Sequence, residues 1–378
     1  MRKRPILVAG HVCLDVIPHV GSTTAWKPGQ LVEVGAALVS TGGAVANTGI
    51  ALHRLGVPVR LCALTGDDLF GAGIRALLNE AGDGLAEGLR VDPSLSTSYT
   101  VVLSPPGQDR TFLHCPGGND AFGPEHLDQG HLEECAHLHF GYPPLMRRMY
   151  SDDGQTLRQT LALARSAGLT TSLDLSLPDP STDQGKAPWP TILATALPEV
   201  DVFTPSLDEL RMMLGQPGDP QGIPDEALVL ALRSIDLGAG AVALKCGADG
   251  LLLVTGDTSR IGAAFGWTEA VSRGWSHRML WSSCYAVNVR GTTGSGDTTI
   301  AGLLRGLWTS SGAAESLCGA CASGATCCEA PDATSGIQPW PVLNDRMTAG
   351  WPRLAGPGGA DWAEVSPGNF CHRLDQGN

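Results

Sequence analysis

Short apolar runs alternate with amphipathic stretches through most of the chain. Residues 6–9, Ile-Leu-Val-Ala, carry no polar interruption and predict a buried strand. Residues 46–55 predict a helix that stops at Gly56, a residue type that commonly closes helices. The rhythm then repeats. Strand 59–64 precedes helix 71–81 and Gly82; strand 137–140 precedes helix 155–167 and Gly168. Strands 170–175 and 200–204 lead to helix 207–214 and Gly215. Strands 241–245 and 250–254 flank a Gly-containing turn, and residues 298–307 predict a helix. Buried strands alternating with helices are the pattern of a parallel sheet covered by helices on both faces.

Two regions break the alternation. Residues 16–40 and 95–115 are turn-rich and β-like, and neither leads into a helix of its own. Within the second, 97–103 and 111–114 flank Pro105-Pro106-Gly107, which predicts a hairpin. The two regions could pair with each other as a small sheet outside the main layer. Residues 256–290 hold Trp267, Trp275 and Trp281 among polar residues and are read as an insertion carrying its own hairpin. Residues 1–340 are thus expected to form one domain. Residues 341–378 form a Gly/Pro-rich tail expected to wrap the surface or stay partly mobile.

Composition narrows the class. The chain has 378 residues, 43% hydrophobic and 17% charged, which excludes a disordered chain. Its 25 basic and 38 acidic residues leave a net charge of −13, a poor surface for nucleic acid or an anionic membrane. The apolar run after Met-Arg-Lys-Arg-Pro is short, and no stretch nears the ~18 apolar residues that span a bilayer, so a cytoplasmic protein is expected. Eleven cysteines, an odd number in a long chain, point to reduced thiols rather than a disulfide framework. Cys318-x-x-Cys321 has a zinc-like spacing, but its run of small residues suits a close-packed helix better. His137 and His139 alternate with apolar residues and should share one face of a strand.

Candidate chemistry concentrates in Gly291-Thr-Thr-Gly294-Ser295-Gly296-Asp297, a glycine-rich turn that runs into a helix. The first amides of a helix lack internal partners and the helix dipole adds positive potential, so the turn can hold an anion without basic side chains. Asp297 beside it makes sense as a base for a hydroxyl proton, or else as a plain helix cap. Gly42-Gly43 opens a second helix that carries Asn47, whose amide can both donate to and accept from a polyol. Gly66-Asp67-Asp68 follows a strand, and Asp67 or Asp68 is read as a cap for the next helix in preference to a metal ligand. Asp15 also follows a strand, placed either to grip hydroxyls or to cap a turn.

In this order and spacing the segments resemble the ribokinase-like, PfkB-type carbohydrate kinases over roughly residues 5–340. Gly42-Gly43, Asn47, Leu55-Gly56 and Gly66-Asp67-Asp68-x-Phe70-Gly71 are similar to that family's N-terminal signature, and Gly294-Ser295-Gly296-Asp297 to its C-terminal one. Ser206-x-x-Glu209 resembles its Asn-x-x-Glu segment, Cys246-Gly247-x-x-Gly250 its nucleotide turn, and residues 107–112 its lid hairpin. The resemblance implies a doubly wound, mostly parallel α/β sheet flanked by helices, with a small β-sheet lid. It implies transfer of the γ-phosphoryl group of ATP, with Mg²⁺, to a hydroxymethyl group of a sugar. A nucleoside acceptor, or a catalytically weak binding or regulatory protein, are the alternatives. By the same resemblance Asp297 is the base and the amides of Gly294, Ser295 and Gly296 form the anion hole. Asp15, Gly42, Gly43 and Asn47 line the acceptor site. Ser206, Glu209, Lys245, Gly247 and Gly250 serve nucleotide and metal, with no direct protein ligand assigned to the ion. A monovalent-cation requirement is possible in that family and is not decided by the loops here; a homodimer through the lid sheet is expected, since an exposed β-edge or face favours pairing.

Three positions depart from the family pattern. Gly291 stands where members carry an Asp that touches the acceptor. Ser206 replaces the Asn of Asn-x-x-Glu, and Lys245-Cys246 replaces the usual Thr before the nucleotide turn.

Overall fold

The computed structural model describes residues 3–21, 28–105, 111–215 and 222–376. The strands are β1 Ile6–Gly10, β2 Cys13–Pro18, β3 Ala37–Gly42, β4 Val59–Gly66 and β5 Leu89–Asp92. They continue as β6 Tyr99–Leu103, β7 Thr111–Cys115, β8 His137–Gly141, β9 Thr170–Asp174 and β10 Val202–Phe203. The last five are β11 Ala241–Lys245, β12 Leu251–Thr255, β13 Met279–Ser282, β14 Trp362–Ser366 and β15 Asn369–His372.

The main sheet has the order β14-β15-β13-β12-β11-β10-β9-β8-β1-β4-β5. From β11 to β5 every neighbouring pair is parallel; β12, β13, β15 and β14 extend it with antiparallel pairs. Apolar residues pack on both faces, because successive side chains of a strand point to opposite sides. Ile6 and Val8 enter one core with the helices Ala44–Arg54 and Ser295–Thr309; Leu7 and Ala9 enter the other with Gln155–Ser166. The helix Ala313–Cys328 lies close against Ser295–Thr309. A Cβ at Gly302 would come within 2.7 Å of the Ala320 Cα, which explains the run of small residues around Cys318 and Cys321.

The two β-rich interruptions do pair. They form a separate sheet of order β3-β2-β6-β7, in which β2 joins β6 in parallel. The turn 106–110, with the lid motif from Gly107 to Arg110, lies outside the described residues. His137 and His139 share a strand face, where the hydroxyls of Thr170 and Ser172 meet both ring nitrogens of His137 and the Nδ1 of His139 at 2.7–2.9 Å.

Two expectations change. Segment 256–290 holds no hairpin of its own. It forms the helices Ser259–Phe265 and Glu269–Trp275, then β13, which pairs with β12. Trp267 and Trp275 stack at 5.2 Å, and their indoles donate to the Leu307 and Ser311 carbonyls, so the segment docks on existing structure. The tail is likewise built into the fold: β15 pairs with β13, and Trp362 packs edge-on against buried Trp281. Asp375 pins it further, accepting from Arg278 at 3.0 Å and from the Met279 amide.

Candidate active site

The side chains of interest lie at the carboxyl ends of the parallel strands, where open α/β sheets bind ligands. His11 follows β1, Tyr142 follows β8, Asp174 ends β9 and Lys245 ends β11. Facing them is the start of the helix Ser295–Thr309.

Gly294 caps that helix at φ +76, a left-handed conformation that suits glycine, and Ala333 packs so closely that a Cβ would fall 2.6 Å from its own. Asp297, in the first turn, is 2% exposed. Its Oδ2 accepts from Asn47 Nδ2 at 3.0 Å and the Tyr142 hydroxyl at 2.8 Å; its Oδ1 accepts from Thr48 Oγ1 at 3.3 Å. Burial raises the Asp297 carboxyl above the ordinary carboxylate range, while Asn47, the Lys245 charge, Tyr142 and Thr48 pull it back. Asn47 is therefore engaged with this carboxylate; its Oδ1 is the atom left without a protein partner. The Ser295 amide donates to the Thr292 carbonyl at 3.2 Å, so in this arrangement it does not face a ligand.

Beside Asp297 lies a buried charge cluster. Lys245 Nζ meets Asp174 Oδ1 at 2.7 Å, with Glu209 close by. Burial pushes Asp174 up to about 8; Lys245 opposes this, whereas Glu209 and Asp297 add to it. Burial works against the Lys245 charge, but the surrounding carboxylates hold its ammonium above the ordinary range. One cation thus serves three carboxylates, and the cluster has an excess of negative charge. Lys245 does not point to solvent. A Cβ placed on Gly296 would lie 3.5 Å from its Nζ, so it sits against the glycine turn.

Ser206 and Glu209 cap each other at the start of the helix Leu207–Leu214. The Ser206 amide donates to Glu209 Oε2 at 2.6 Å, and the Glu209 amide to Ser206 Oγ at 3.3 Å. Gly247 and Gly250, at φ +58 and +135, shape the turn between β11 and β12. Two cavities meet here and share Lys245, Gly247, Ser295 and Gly296. One, of about 600 Å³, holds Asp174, Glu209, Tyr142 and Asp297; the other, of about 260 Å³, is walled by Leu251, Tyr285, Val287 and Ala325.

Asp15, Gly42 and Gly43 gather across from this. Asp15 on β2 accepts from the Cys13 thiol at 3.3 Å, and a Cβ on Gly42 would run into its carboxylate. Burial raises Asp15 too, against hydrogen bonds from Cys13 and Thr100. Gly43, at φ +87, caps the helix that bears Asn47 and Thr48. Asp68 caps the helix Leu69–Ala81. Gly291 is not an empty place for a lost side chain: a Cβ there would meet the Ala330 and Pro331 carbonyls at 2.9 and 3.0 Å. Tyr142, Thr48, Asp174 and His11 escape a motif-based reading. For Tyr142, Asp174 and His11 the signal was available only as position, at or just beyond the ends of strands that turn out to be neighbours; Thr48 sits one residue after Asn47 on the helix Ala44–Arg54.

The described residues include no three His, Cys, Asp or Glu side chains grouped to wrap a metal ion, and no helix long and apolar enough to cross a membrane.

A profile of pfkB family carbohydrate kinases matches residues 3–340. A sequence search of curated proteins found no match. Among solved structures, an Arabidopsis thaliana ribokinase complexed with ribose and ATP aligns with a TM-score of 0.71 at 19% identity, over 91% of this chain and 98% of its own. A Xylella fastidiosa fructokinase with bound ATP aligns at 0.68 and 19% identity, over 92% and 99%. A Methanocaldococcus jannaschii nucleoside kinase aligns at 0.64 and 16% identity, also over 92% and 99%. At these identities the likenesses speak for a shared fold.

Proposed function

The chain belongs to the pfkB family of carbohydrate kinases, and on that premise we propose that it transfers the γ-phosphoryl group of ATP to a hydroxymethyl group of a small sugar, with Asp297 as general base. The observation that carries this is the Asp297 carboxylate, buried yet ionisable, held by three donors in the wall of the larger cavity, next to Gly296, which both cavities share.

Asp297 accepts the acceptor's hydroxyl proton as the oxygen attacks the γ-phosphorus and ADP leaves. Asn47, Thr48 and Tyr142 keep the carboxylate oriented and charged, while burial makes it a stronger base than an exposed Asp. The Gly294 and Gly296 amides, at the positive end of a helix, stabilise charge on the transferring group. The Ser295 amide would join them on releasing Thr292. Lys245 adds its charge from the side of Gly296. The apolar cavity suits the adenine ring, with Gly247 and Gly250 at its rim. The excess of carboxylate over cation around Lys245 fits a hard divalent ion such as Mg²⁺, which would supply positive charge against that of the ATP phosphates. Glu209 is the residue placed to hold it, through water rather than in a closed protein cage. Asp15 and the Asn47 Oδ1 face the sugar. Leu38, Val39, Phe112 and Leu113, about half exposed on the lid sheet, favour a homodimer through that sheet.

The test is ADP release from Mg·ATP across pentoses, hexoses, ketoses, sugar acids and nucleosides, with Asp297→Asn beside it. Substrate-dependent turnover that vanishes in the variant is expected. Ligand-induced thermal stabilisation with no turnover anywhere would favour a binding or regulatory protein. The engaged Ser295 amide and the filled space at Gly291 are the observations on that side.

A further inference from the structure

All eleven cysteines are free thiols, and two of them meet in the wall of the apolar cavity. Cys284 lies in the loop after β13, and Cys321 comes from the helix Ala313–Cys328. The Cys321 thiol donates to the Ser282 carbonyl at 3.5 Å, two residues before Cys284, and the two thiols interact directly. The Cys284 thiol also donates to the Gly247 carbonyl at 3.2 Å, so it braces the turn between β11 and β12. Behind this loop stands Arg353 of the tail. It donates to the Ser283 carbonyl at 2.8 Å and the Ser282 hydroxyl at 3.1 Å, and its guanidinium covers the Tyr285 ring at 4.1 Å. A fixed positive charge is thereby tied to the backbone on either side of Cys284.

Neighbouring thiols are engaged elsewhere. Cys318 accepts from Asn369 Nδ2 at 3.0 Å and from Arg353 at 3.3 Å, on the side of the tail. Buried Cys246 donates to the Leu244 carbonyl at 3.6 Å. Among the described residues no third ligand joins the pair to make a metal site. We propose that Cys284 and Cys321 form a redox-modification site, which a peroxide closes into a disulfide that reshapes the apolar cavity and frees the Gly247 turn. The bond itself depends only on the two thiols; its consequence for ATP rests on the kinase reading of that cavity.

The thiolate is the reacting form of cysteine. The hydrogen bond from Cys321 and the charge of Arg353 hold the Cys284 thiol below its ordinary range, against burial, whereas the same bond and burial push Cys321 up. Cys284, half-buried and open to the cavity, is therefore the attacking sulfur and Cys321 the resolving one. The Cys284 sulfur attacks one oxygen of hydrogen peroxide. The O–O bond breaks, the departing hydroxide takes up the thiol proton as water, and a sulfenic acid is left. The Cys321 sulfur then displaces the hydroxyl from Cys284, and its own proton leaves with that hydroxyl as a second water. Two thiols have lost two electrons and one peroxide has gained them. A dithiol reverses the step by exchange. A disulfide holds its sulfurs about 2.05 Å apart, so closing it draws the loop towards the helix. It also removes the S–H that reaches the Gly247 carbonyl.

The experiment treats the reduced full chain with hydrogen peroxide and reads intact mass, a peptide map and calorimetric ATP binding. A loss of two hydrogen atoms and a Cys284–Cys321 cross-link are expected, both undone by dithiothreitol. Cys284→Ser and Cys321→Ala should each abolish the link, and Cys318→Ser should keep it. Should Cys321→Ala fail to fold, Cys284→Ser on the half-exposed loop gives the same readout. Oxidation should weaken ATP binding about three- to tenfold, the worth of one neutral hydrogen bond, and should leave the affinity of Cys284→Ser unchanged. A different cysteine pairing, oxidation of single cysteines without a link, or a link that leaves ATP affinity untouched would each overturn the proposal. A link in a chain whose reduced form binds no ATP would uphold the modification site and refute the kinase reading alone.

Discussion

Replacing Tyr142 by Phe tests the electrostatics of the proposed base without touching the base itself. The hydroxyl of half-buried Tyr142 donates at 2.8 Å to Oδ2 of Asp297, which is itself buried. A hydrogen bond to a charged group contributes about 1.5–3 kcal/mol, and it favours the ionised carboxylate over the acid. Since about 1.4 kcal/mol corresponds to one pH unit, its loss moves the acid limb of the kcat/KM profile upward by about one to two pH units. Asn47 and Thr48 remain, so a base is still present; well above the limb the rate should stay within roughly tenfold of the parent. The profile of kcat/KM for the acceptor, followed by coupled ADP release between about pH 5 and pH 9, reads the free enzyme, the state described here. Thr48→Val is the internal comparison, because its 3.3 Å contact is longer and should move the limb less. An acid limb that stays in place or moves down in Tyr142→Phe would refute the reasoning, since Tyr142 could not then be stabilising the charged form of the catalytic base.

Asp297→Asn should lower kcat by about 10²–10⁴-fold yet raise the melting temperature at neutral pH. Burial raises the folded-state pKa of Asp297, so its contribution to stability is full below its unfolded value and is lost as pH rises through the folded one; a lower melting temperature at pH 7 would contradict this. Gly291→Asp should not restore an acceptor contact. Its Cβ meets the Ala330 and Pro331 carbonyls, so thermal melts should show a loss of about 1–3 kcal/mol, and a gain in turnover would show the crowding to be unimportant. Lys245→Met strands Asp174, Glu209 and Asp297 without their cation and should destabilise by about 3–5 kcal/mol in denaturant titrations. Adding Asp174→Asn should recover part of that loss, and strictly additive effects would count against the cluster.

The start of the helix Ser295–Thr309 was legible because a glycine at φ +76 and an acid in the first turn are local devices, written in adjacent residues. The lid was legible for the opposite reason: β-like stretches without helices have no place in a helix-covered layer. What stayed hidden depends on distant partners. β14 and β15 sit in a Gly/Pro-rich segment whose composition argues against strands, and only the open edge of β13 makes them form. Trp267 and Trp275 looked like hairpin residues until their indoles found carbonyls on the helix Ser295–Thr309 and the turn after it. In the site, Asn47 carried a motif but not its partner, Asp297, which lies on another helix. Tyr142 and His11 carry no motif; they gain meaning because β1 and β8 are neighbours.

The strand β15 has a bearing on how the protein is made. A ribosome releases β13 well before β15, so for an interval one flank of β13 offers unpaired amides and carbonyls, the kind of edge on which chains stick together. Trp281, wholly buried in the finished molecule, waits through that interval for Trp362 to arrive. Asp375 then closes the seam by seizing both the Arg278 side chain and the Met279 amide. The newborn chain therefore passes through a stage in which the cleft around Asp297 has all its residues while the far border of the sheet is still adhesive, and the hazard of synthesis lies in a segment remote from that cleft.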